Sequence, residues 1–272
     1  MKTRPNEATI TCSIEPFRDG NSQGTCTDIA AVEAPLEIRF GGREGTILMR
    51  TPGHDDELVR GFLFNEGIIR SASDILSIER PAEQPTSFNG QTIEIRLAQS
   101  LQNRSLNRNF LSSSSCGSCG KSSIDSLAIE APPVKSQISI DMRLLTCLPE
   151  RLKAAQTTFL QTGGVHASGL FTPEGDLIAI REDVGRHNAL DKLIGWAVGE
   201  NRLPLAESIL VLSGRISYEL VQKAVMASIP IVTAVGAPSS MAIDFANRYD
   251  ITLAGFVRPT SLNAYTHAFR IH

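Results

Sequence analysis

The sequence has few cysteines and no surplus of positive charge. With 26 Lys and Arg against 29 Asp and Glu, the 272-residue chain carries a formal net charge of -3. A protein that binds the phosphate backbone of DNA or RNA is usually basic, so nucleic acid is not an expected partner. The charge is also too small to indicate disorder. A hydrophobic content of 42% is enough for a buried core in one or two domains.

Long hydrophobic segments are missing as well. No apolar run approaches the roughly 18–20 residues that span a bilayer, and the polar stretch at residues 1–7 lacks the apolar part of a signal peptide. We therefore expect a cytoplasmic protein with no membrane partner. The five cysteines are odd in number and too few for a disulfide-stapled secreted scaffold, which fits a reducing compartment.

The first half of the chain predicts a smaller α+β domain over residues 1–145. Apolar residues alternate on both sides of the glycine-rich turn at residues 41–45, which indicates a β-hairpin. Three acids, Asp55, Asp56 and Glu57, predict the start of a helix because negative charge stabilises the positive end of the helix dipole. Further strands are predicted near residues 75–78 and 92–97.

The second half, residues 146–272, predicts an α/β domain. Pro149 suits the first position of a helix that ends at the glycines 163–164, and a hairpin and a second helix follow. Three continuously apolar strands then alternate with amphipathic helices, at residues 209–212, 231–235 and 251–257. This alternation is typical of a parallel sheet covered by helices on both faces.

Two cysteines, Cys116 and Cys119, lie in a serine-rich polar segment at about residues 99–123. Flanking glycines predict a mobile loop, on which a thiolate could accept sulfur as a persulfide and present it elsewhere. The pattern alone leaves other interpretations open. A thioredoxin-like pair would open a helix, a zinc site would need a second pair of ligands, and a structural disulfide is unfavourable in a reducing compartment. Two loop thiols without a role are the remaining alternative.

The turns that follow the three apolar strands predict a binding site. Carboxyl ends of parallel strands lie along one edge of a sheet, where ligands bind. Two of these turns precede helices, whose free N–H groups suit an anionic, phosphate-bearing ligand. Each turn taken singly also fits ordinary helix capping, but their repetition on one edge favours a ligand. The candidate residues in the first two turns are Ser213, Gly214, Arg215 and Gly236.

Three other polar segments are considered as binding positions. The charged segment 181–188 fits either a solvated loop in which Asn188 caps a helix, or a phosphate site that uses Arg186 and His187. His166 fits a buried core histidine, and residues 50–54 fit plain turn chemistry. Of these, His187 is the candidate ligand-binding residue.

Several of these segments together resemble a known family, the formate dehydrogenase accessory proteins or FdhD sulfurtransferases. The resemblance extends from about residue 35 to the end of the chain. It rests on motifs in a fixed order: RTPG at 50–53, LVRGFL at 58–63, CGSCG at 116–120, TGGVH at 162–166, EDVGRHNALDK at 182–192, SGR at 213–215 and GFVR at 255–258.

The resemblance implies a function for the cysteine loop. In such proteins a cysteine desulfurase passes sulfur to the first loop cysteine, here Cys116, with Cys119 as its helper. The carrier then sulfurates the molybdenum of bis(molybdopterin guanine dinucleotide) before this cofactor enters formate dehydrogenase. The choice of Cys116 as the sulfur-bearing residue comes from the resemblance alone.

The resemblance also implies a homodimer with a three-layer, cytidine-deaminase-like C-terminal domain. That domain would hold the guanine nucleotide end of the cofactor, for which GDP is a mimic. The implied binding residues are Phe256, Val257, Arg258, Pro259, Thr260 and Ser261.

The zinc ligands of cytidine deaminases are missing from the sequence. Those enzymes need a His-x-Glu and a later Pro-Cys-x-x-Cys, whereas residues 166–168 read His-Ala-Ser and residues 213–215 read Ser-Gly-Arg. The sequence therefore predicts no metal site and excludes zinc-dependent deamination. A non-catalytic chaperone for the molybdenum cofactor is the main alternative function, and a thiol–disulfide oxidoreductase is a third.

Overall fold

The structure is a computed structural model that describes residues 7–85, 87–99, 101 and 131–272. Cys116 and Cys119 lie outside the described residues. The described part is a mixed α/β fold, which confirms the predicted class. None of its helices is both long enough and apolar enough to cross a membrane.

The N-terminal part contains two small antiparallel pairs and a four-stranded sheet. The pairs are β1 (Thr9–Ile14) with β4 (Cys26–Ala31), and β2 (Phe17–Arg18) with β3 (Asn21–Ser22). The sheet has the order β6-β5-β8-β7 and consists of β5 (Ala34–Phe40), β6 (Arg43–Arg50), β7 (Ile75–Glu79) and β8 (Gln91–Leu97). The predicted hairpin is confirmed by the antiparallel pairing of β5 with β6.

Helix α1 (Asp55–Asn65) begins at the three predicted acids. It follows β6 and buries Leu58, Val59 and Leu63 against the core. Glu66 ends the helix, and Gly67 then adopts a left-handed backbone with φ 67°, which a glycine accepts without strain.

The C-terminal part is built on a six-stranded sheet of order β10-β9-β11-β12-β13-β14. Its strands are β9 (His166–Phe171), β10 (Leu177–Asp183), β11 (Ile209–Leu212), β12 (Ile231–Ala234), β13 (Thr252–Arg258) and β14 (Ser261–Thr266). The three apolar strands β11, β12 and β13 are parallel, as predicted. Strand β14 was not predicted: it folds back antiparallel to β13, so that residues 258–261 form a hairpin turn.

Helices cover this sheet on both faces. They are α2 (Met142–Ala155), α3 (Thr157–Thr162), α4 (Arg186–Gly199), α5 (Tyr218–Met226) and α6 (Ser240–Arg248). Successive residues of β11 point to opposite faces, so Ile209 and Val211 pack with α2, while Leu210 and Leu212 belong to the core under α4, α5 and α6. The further resemblance to cytidine deaminase stays a prediction.

Helix α2 corrects the predicted helix start at Pro149. The helix begins at Met142, because the Asp141 side chain caps it by accepting a hydrogen bond from the Arg143 backbone N–H at 2.6 Å. Pro149 lies inside the helix and is buried with Leu145. The helical conformation is interrupted at Gln156, and α3 follows. Helix α3 ends at Gly163, as predicted.

Helices α1 and α4 join the two halves of the chain by a close glycine contact. A Cβ atom on Gly61 would lie 1.8 Å from the Asp191 carbonyl oxygen, and one on Gly195 would lie 1.7 Å from the Glu57 carbonyl oxygen. One apolar core therefore continues from α1 into α4. The domain boundary predicted near residue 145 falls within α2, and the division of the chain at that point stays a prediction.

An ion pair holds the same helix α1 against the C-terminal sheet. Arg181 of β10 donates to the Glu57 carboxylate, with an Nη2–Oε1 distance of 2.7 Å. Burial raises the pKa of Glu57, but hydrogen bonds from Arg181 and His54 outweigh it and hold this pKa at about 2. The carboxylate is therefore ionised at neutral pH.

The glycine contact predicts that Gly195→Ala is destabilising. The added methyl group must push α1 and α4 apart, and overpacking of this kind costs about 1–3 kcal/mol, or more where backbone atoms must move. Urea unfolding measures the change in the free energy of unfolding. Gly199→Ala, in the same helix but with its nearest neighbour at 3.8 Å, is the control and should be neutral or slightly stabilising. Equal stability of the two variants would contradict the contact.

Candidate functional site

The turns after β11, β12 and β13 form one continuous edge, held together by backbone hydrogen bonds. The Gly236 N–H donates to the Gly214 carbonyl oxygen at 3.2 Å, and the Phe256 N–H donates to the Gly236 carbonyl oxygen at 3.1 Å. A third bond runs from the Ile216 N–H to the Ala237 carbonyl oxygen at 3.0 Å. The predicted gathering of these turns on one edge is confirmed.

Glycine is required at the centre of this edge. A Cβ atom on Gly236 would lie 2.7 Å from the Gly214 carbonyl oxygen and 2.9 Å from the Arg215 backbone nitrogen. One on Gly255 would meet the Pro238 side chain at 2.9 Å. The turns can approach each other only because these side chains are absent, and the backbone of Gly214 and Gly236 stays partly exposed.

The predicted binding residues on this edge differ in what they can offer a ligand. Arg215 and Arg258 are exposed, and Arg258 donates to the Val235 carbonyl oxygen at 2.9 Å. Phe256 is 44% exposed with φ 51°. In contrast, the Val257 side chain is buried, and the Ser213 hydroxyl accepts a hydrogen bond from the Ala167 N–H at 2.8 Å.

The remaining predicted residues, Pro259, Thr260 and Ser261, are exposed in the hairpin turn between β13 and β14. These three residues lie next to the edge formed by the turns after β11 and β12. The strand that precedes them, β13, leads into strand β14 and not into a helix. This placement follows from the unpredicted strand β14.

His187 lies in the first turn of α4 and faces the start of α5. Its Nε2 atom is 3.4 Å from the Ser217 hydroxyl oxygen and 3.7 Å from a Glu219 carboxylate oxygen. The hydrogen bond from His187 lowers the pKa of Glu219 well below its usual value, against the opposing effect of burial. Glu219 is therefore ionised, and His187 is fixed between the two helix starts.

Sequence reasoning missed the placement of His166. Its ring lies against Gly214, with two ring atoms 3.4 Å from where a Cβ of that glycine would be. The pKa of His166 is lowered first by burial and then by electrostatic interaction with Arg186, His187 and Arg215, while Asp183 acts in the opposite direction. His166 is only partly buried, so the interpretation as a core histidine is wrong.

The carboxylate of Asp183 positions the start of α4. It is fully buried, pairs with the Lys192 ammonium at 2.7 Å, and accepts hydrogen bonds from the backbone N–H groups of Thr51 at 3.0 Å and Gly185 at 2.8 Å. Asn188 also donates to it at 3.0 Å. The helix cap is Gly185 rather than Asn188. The interpretation of residues 181–188 as a solvated loop is therefore wrong.

A second buried ion pair extends this network into the N-terminal part. Arg50 is fully buried and donates to both carboxylate oxygens of Asp55, at 2.8 and 3.0 Å, and to Gln91 at 2.9 Å. Residues 50–54 therefore do more than make a turn. They place the Thr51 backbone N–H within hydrogen-bond distance of the Asp183 carboxylate, at the start of α4.

The catalytic residues predicted from the sequence, Cys116 and Cys119, lie outside the described residues. In the part of the chain that the structure describes, no group of three or more His, Cys, Asp or Glu side chains is arranged to hold a metal ion. The described site is thus a surface of backbone and basic side chains.

Comparison with known proteins identifies the family. The sequence profile of the FdhD/NarQ family matches residues 31–272. The chain belongs to the FdhD/NarQ family. A relative named sulfur carrier protein FdhD, from Nocardia farcinica, is 46% identical over 90% of this chain and 88% of its own. Another of that name, from Sulfolobus acidocaldarius, is 42% identical over 95% of this chain and 96% of its own.

A solved structure shares the fold of this FdhD/NarQ chain. A crystal structure described as that of a formate dehydrogenase accessory protein, from Desulfotalea psychrophila, has a TM-score of 0.76. The match covers 98% of this chain and 100% of the other at 23% identity. In this chain the segments 50–53 and 182–192 are in contact, through the hydrogen bond from the Thr51 N–H to the Asp183 carboxylate.

The buried carboxylate predicts a large loss of stability for Asp183→Asn. The change leaves the Lys192 charge buried without an ionised partner, and breaking a buried pair in this way costs about 3–5 kcal/mol. Urea unfolding at neutral pH measures it, with Asp176→Asn in an exposed turn as the control. Adding Lys192→Met to Asp183→Asn should recover part of the loss. A single variant as stable as the control would contradict this role.

Proposed function

We propose that this protein is a sulfur carrier of the cytoplasm that serves formate dehydrogenase. It accepts sulfur from a cysteine desulfurase as a persulfide on Cys116 and transfers it to the molybdenum of bis(molybdopterin guanine dinucleotide) before this cofactor is inserted. The observation that carries the proposal is the match, over nine tenths of the chain, to relatives named sulfur carrier proteins.

Loading is a sulfur exchange at a thiolate. The Cys116 thiolate attacks the outer sulfur of the donor's persulfide, a new S–S bond forms on Cys116, and the donor cysteine leaves as a thiolate. Cys119, three residues further along, is close enough in sequence to assist release of that sulfur. Its thiolate attacks the inner sulfur on Cys116, a Cys116–Cys119 disulfide forms, and the outer sulfur leaves as hydrosulfide. Thiolates persist in a reducing compartment, which supports a cytoplasmic site of action.

The edge formed by Gly214, Gly236 and Phe256 supports binding of the nucleotide end of the cofactor. Arg215 and Arg258 supply positive charge to a diphosphate, and the start of α4 supplies the positive end of a helix dipole. The exposed ring of Phe256 offers a face on which a guanine base can stack. GDP is therefore a suitable probe of this edge. We further propose that the protein acts as a homodimer.

A non-catalytic chaperone for the same cofactor is the second candidate, because the edge could bind and deliver the nucleotide without any sulfur chemistry. The two candidates differ in their need for the cysteines. Cells that carry the double variant Cys116→Ala/Cys119→Ala should lose formate dehydrogenase activity if the protein is a carrier, and should keep it if the protein is only a chaperone.

The carrier function predicts that Cys116→Ala abolishes loading. Incubation with a cysteine desulfurase and cysteine should add about 32 Da to the wild-type protein, one sulfur atom at a thiolate, and dithiothreitol should remove it. Intact-protein mass spectrometry measures this addition. Cys26→Ala is the matched control, because Cys26 is also an exposed thiol, and it should load normally. Normal loading of Cys116→Ala would refute the assignment.

The binding edge predicts that Arg258→Ala weakens GDP binding. Loss of a charge-assisted hydrogen bond to phosphate costs about 1–3 kcal/mol, or roughly a 5- to 150-fold higher dissociation constant. Isothermal titration calorimetry measures it, and Arg143→Ala, at an exposed arginine of α2, serves as the control. If both variants bind GDP like the wild type, Arg258 does not contact the phosphates.

A further inference from the structure

His166 has a polar ring that the interactions described so far do not use. The ring lies against the backbone of Gly214 at the binding edge, and no described residue forms a hydrogen bond with it. Strand β9 places it there, because His166 is the first residue of that strand and pairs with Asp183 in the neighbouring strand β10. Because no residue in the described part of the chain bonds to this partly buried imidazole, it is available to a ligand.

Basic residues of two elements act on this ring. Arg186 and His187, at the start of α4, and Arg215, in the turn after β11, lower its pKa by their electrostatic interaction with it. Among the described residues, the carboxylate that raises the pKa of His166 is that of Asp183. This carboxylate is already paired with Lys192. Burial and the three basic residues lower the pKa of His166, so the free protein holds this imidazole neutral at neutral pH.

A diphosphate ligand would reverse this situation. Its negative charges would compensate the positive charges of Arg186 and Arg215. Its oxygens would accept a hydrogen bond from a protonated imidazole. Since an opposite charge within a few Å favours the charged form of a histidine, the ring that is neutral in the free protein would become an imidazolium in the complex.

We propose that His166 is a ligand-contacting residue of this edge and takes up one proton when a nucleoside diphosphate binds across Gly214 and the start of α4. The proton comes from the solvent, and no covalent bond is formed or broken. The proposal rests on the nucleotide binding proposed above. It adds that His166 contacts the nucleotide and that binding is coupled to the uptake of one proton. It follows that affinity for the diphosphate decreases as the pH rises, because fewer complexes can hold the proton.

Calorimetry of GDP binding tests the proton uptake. The binding enthalpy is measured at pH 7.5 in PIPES and in Tris, whose ionisation enthalpies differ; at this pH a terminal phosphate, with a second pKa of about 6, is already largely deprotonated. The wild type should take up about 0.5–1 proton per GDP. His166→Gln should bind GDP more weakly and take up almost none. His272→Gln, at the exposed last residue, should behave like the wild type.

The ring of the wild-type protein provides a second measurement that does not depend on a variant. The NMR signal of the His166 Cε1–H group reports its protonation, and its titration midpoint should move to higher pH when GDP is present. A midpoint that does not move would overturn the proposal, as would a wild type without proton uptake or a His166→Gln variant that still takes up the proton.

The outcomes separate this proposal from the proposed function. GDP binding without proton uptake would remove the function of His166 and leave nucleotide binding at the edge intact. If GDP does not bind at all, both the nucleotide site and the function of His166 are refuted. Sulfur carriage through Cys116 would still be decided by the mass measurement alone.

Discussion

The buried ion pair between Asp183 and Lys192 is the interaction on which the site depends. The Asp183 carboxylate is fully buried. It connects Thr51, in the N-terminal part of the chain, to Gly185, the cap of α4. A buried charge is tolerated only when it is paired and hydrogen-bonded. The bonds of this carboxylate to Thr51, Gly185 and Lys192 fix α4 relative to β10. The first two residues of α4, Arg186 and His187, are thereby fixed as well.

The binding edge itself depends on a different constraint, the absence of side chains. Gly214 and Gly236 bring neighbouring turns within hydrogen-bond distance, and a methyl group on Gly236 would collide with the backbone. The polar character of this surface therefore comes from peptide groups and from Arg215 at its rim, where Phe256 adds an exposed aromatic ring. A ligand with several acceptor oxygens and one flat ring matches such a surface.

Local patterns were sufficient to predict much of the fold but not the contacts that organise the site. The hairpin β5–β6, the acidic start of α1 and the three parallel strands follow from short-range periodicity and charge. The start of α2 was missed because a single capping residue, Asp141, decides it. Strand β14 was missed because it alternates only weakly and half of its residues are exposed. The contact of Thr51 with Asp183 joins residues 132 apart in sequence, a distance over which periodicity carries no information, and the place of His166 follows from the pairing of β9.

The glycine contact between α1 and α4 has a consequence for dissecting the protein into fragments. A fragment that begins near residue 146 would lack α1, and the face of α4 around Gly195 that α1 covers would be exposed to water together with Leu190, Leu193 and Ile194 of the shared core. An apolar helix face without its partner favours self-association. The nucleotide edge would then be built on a helix whose packing had changed, so a binding study of the isolated C-terminal half would measure a different molecule.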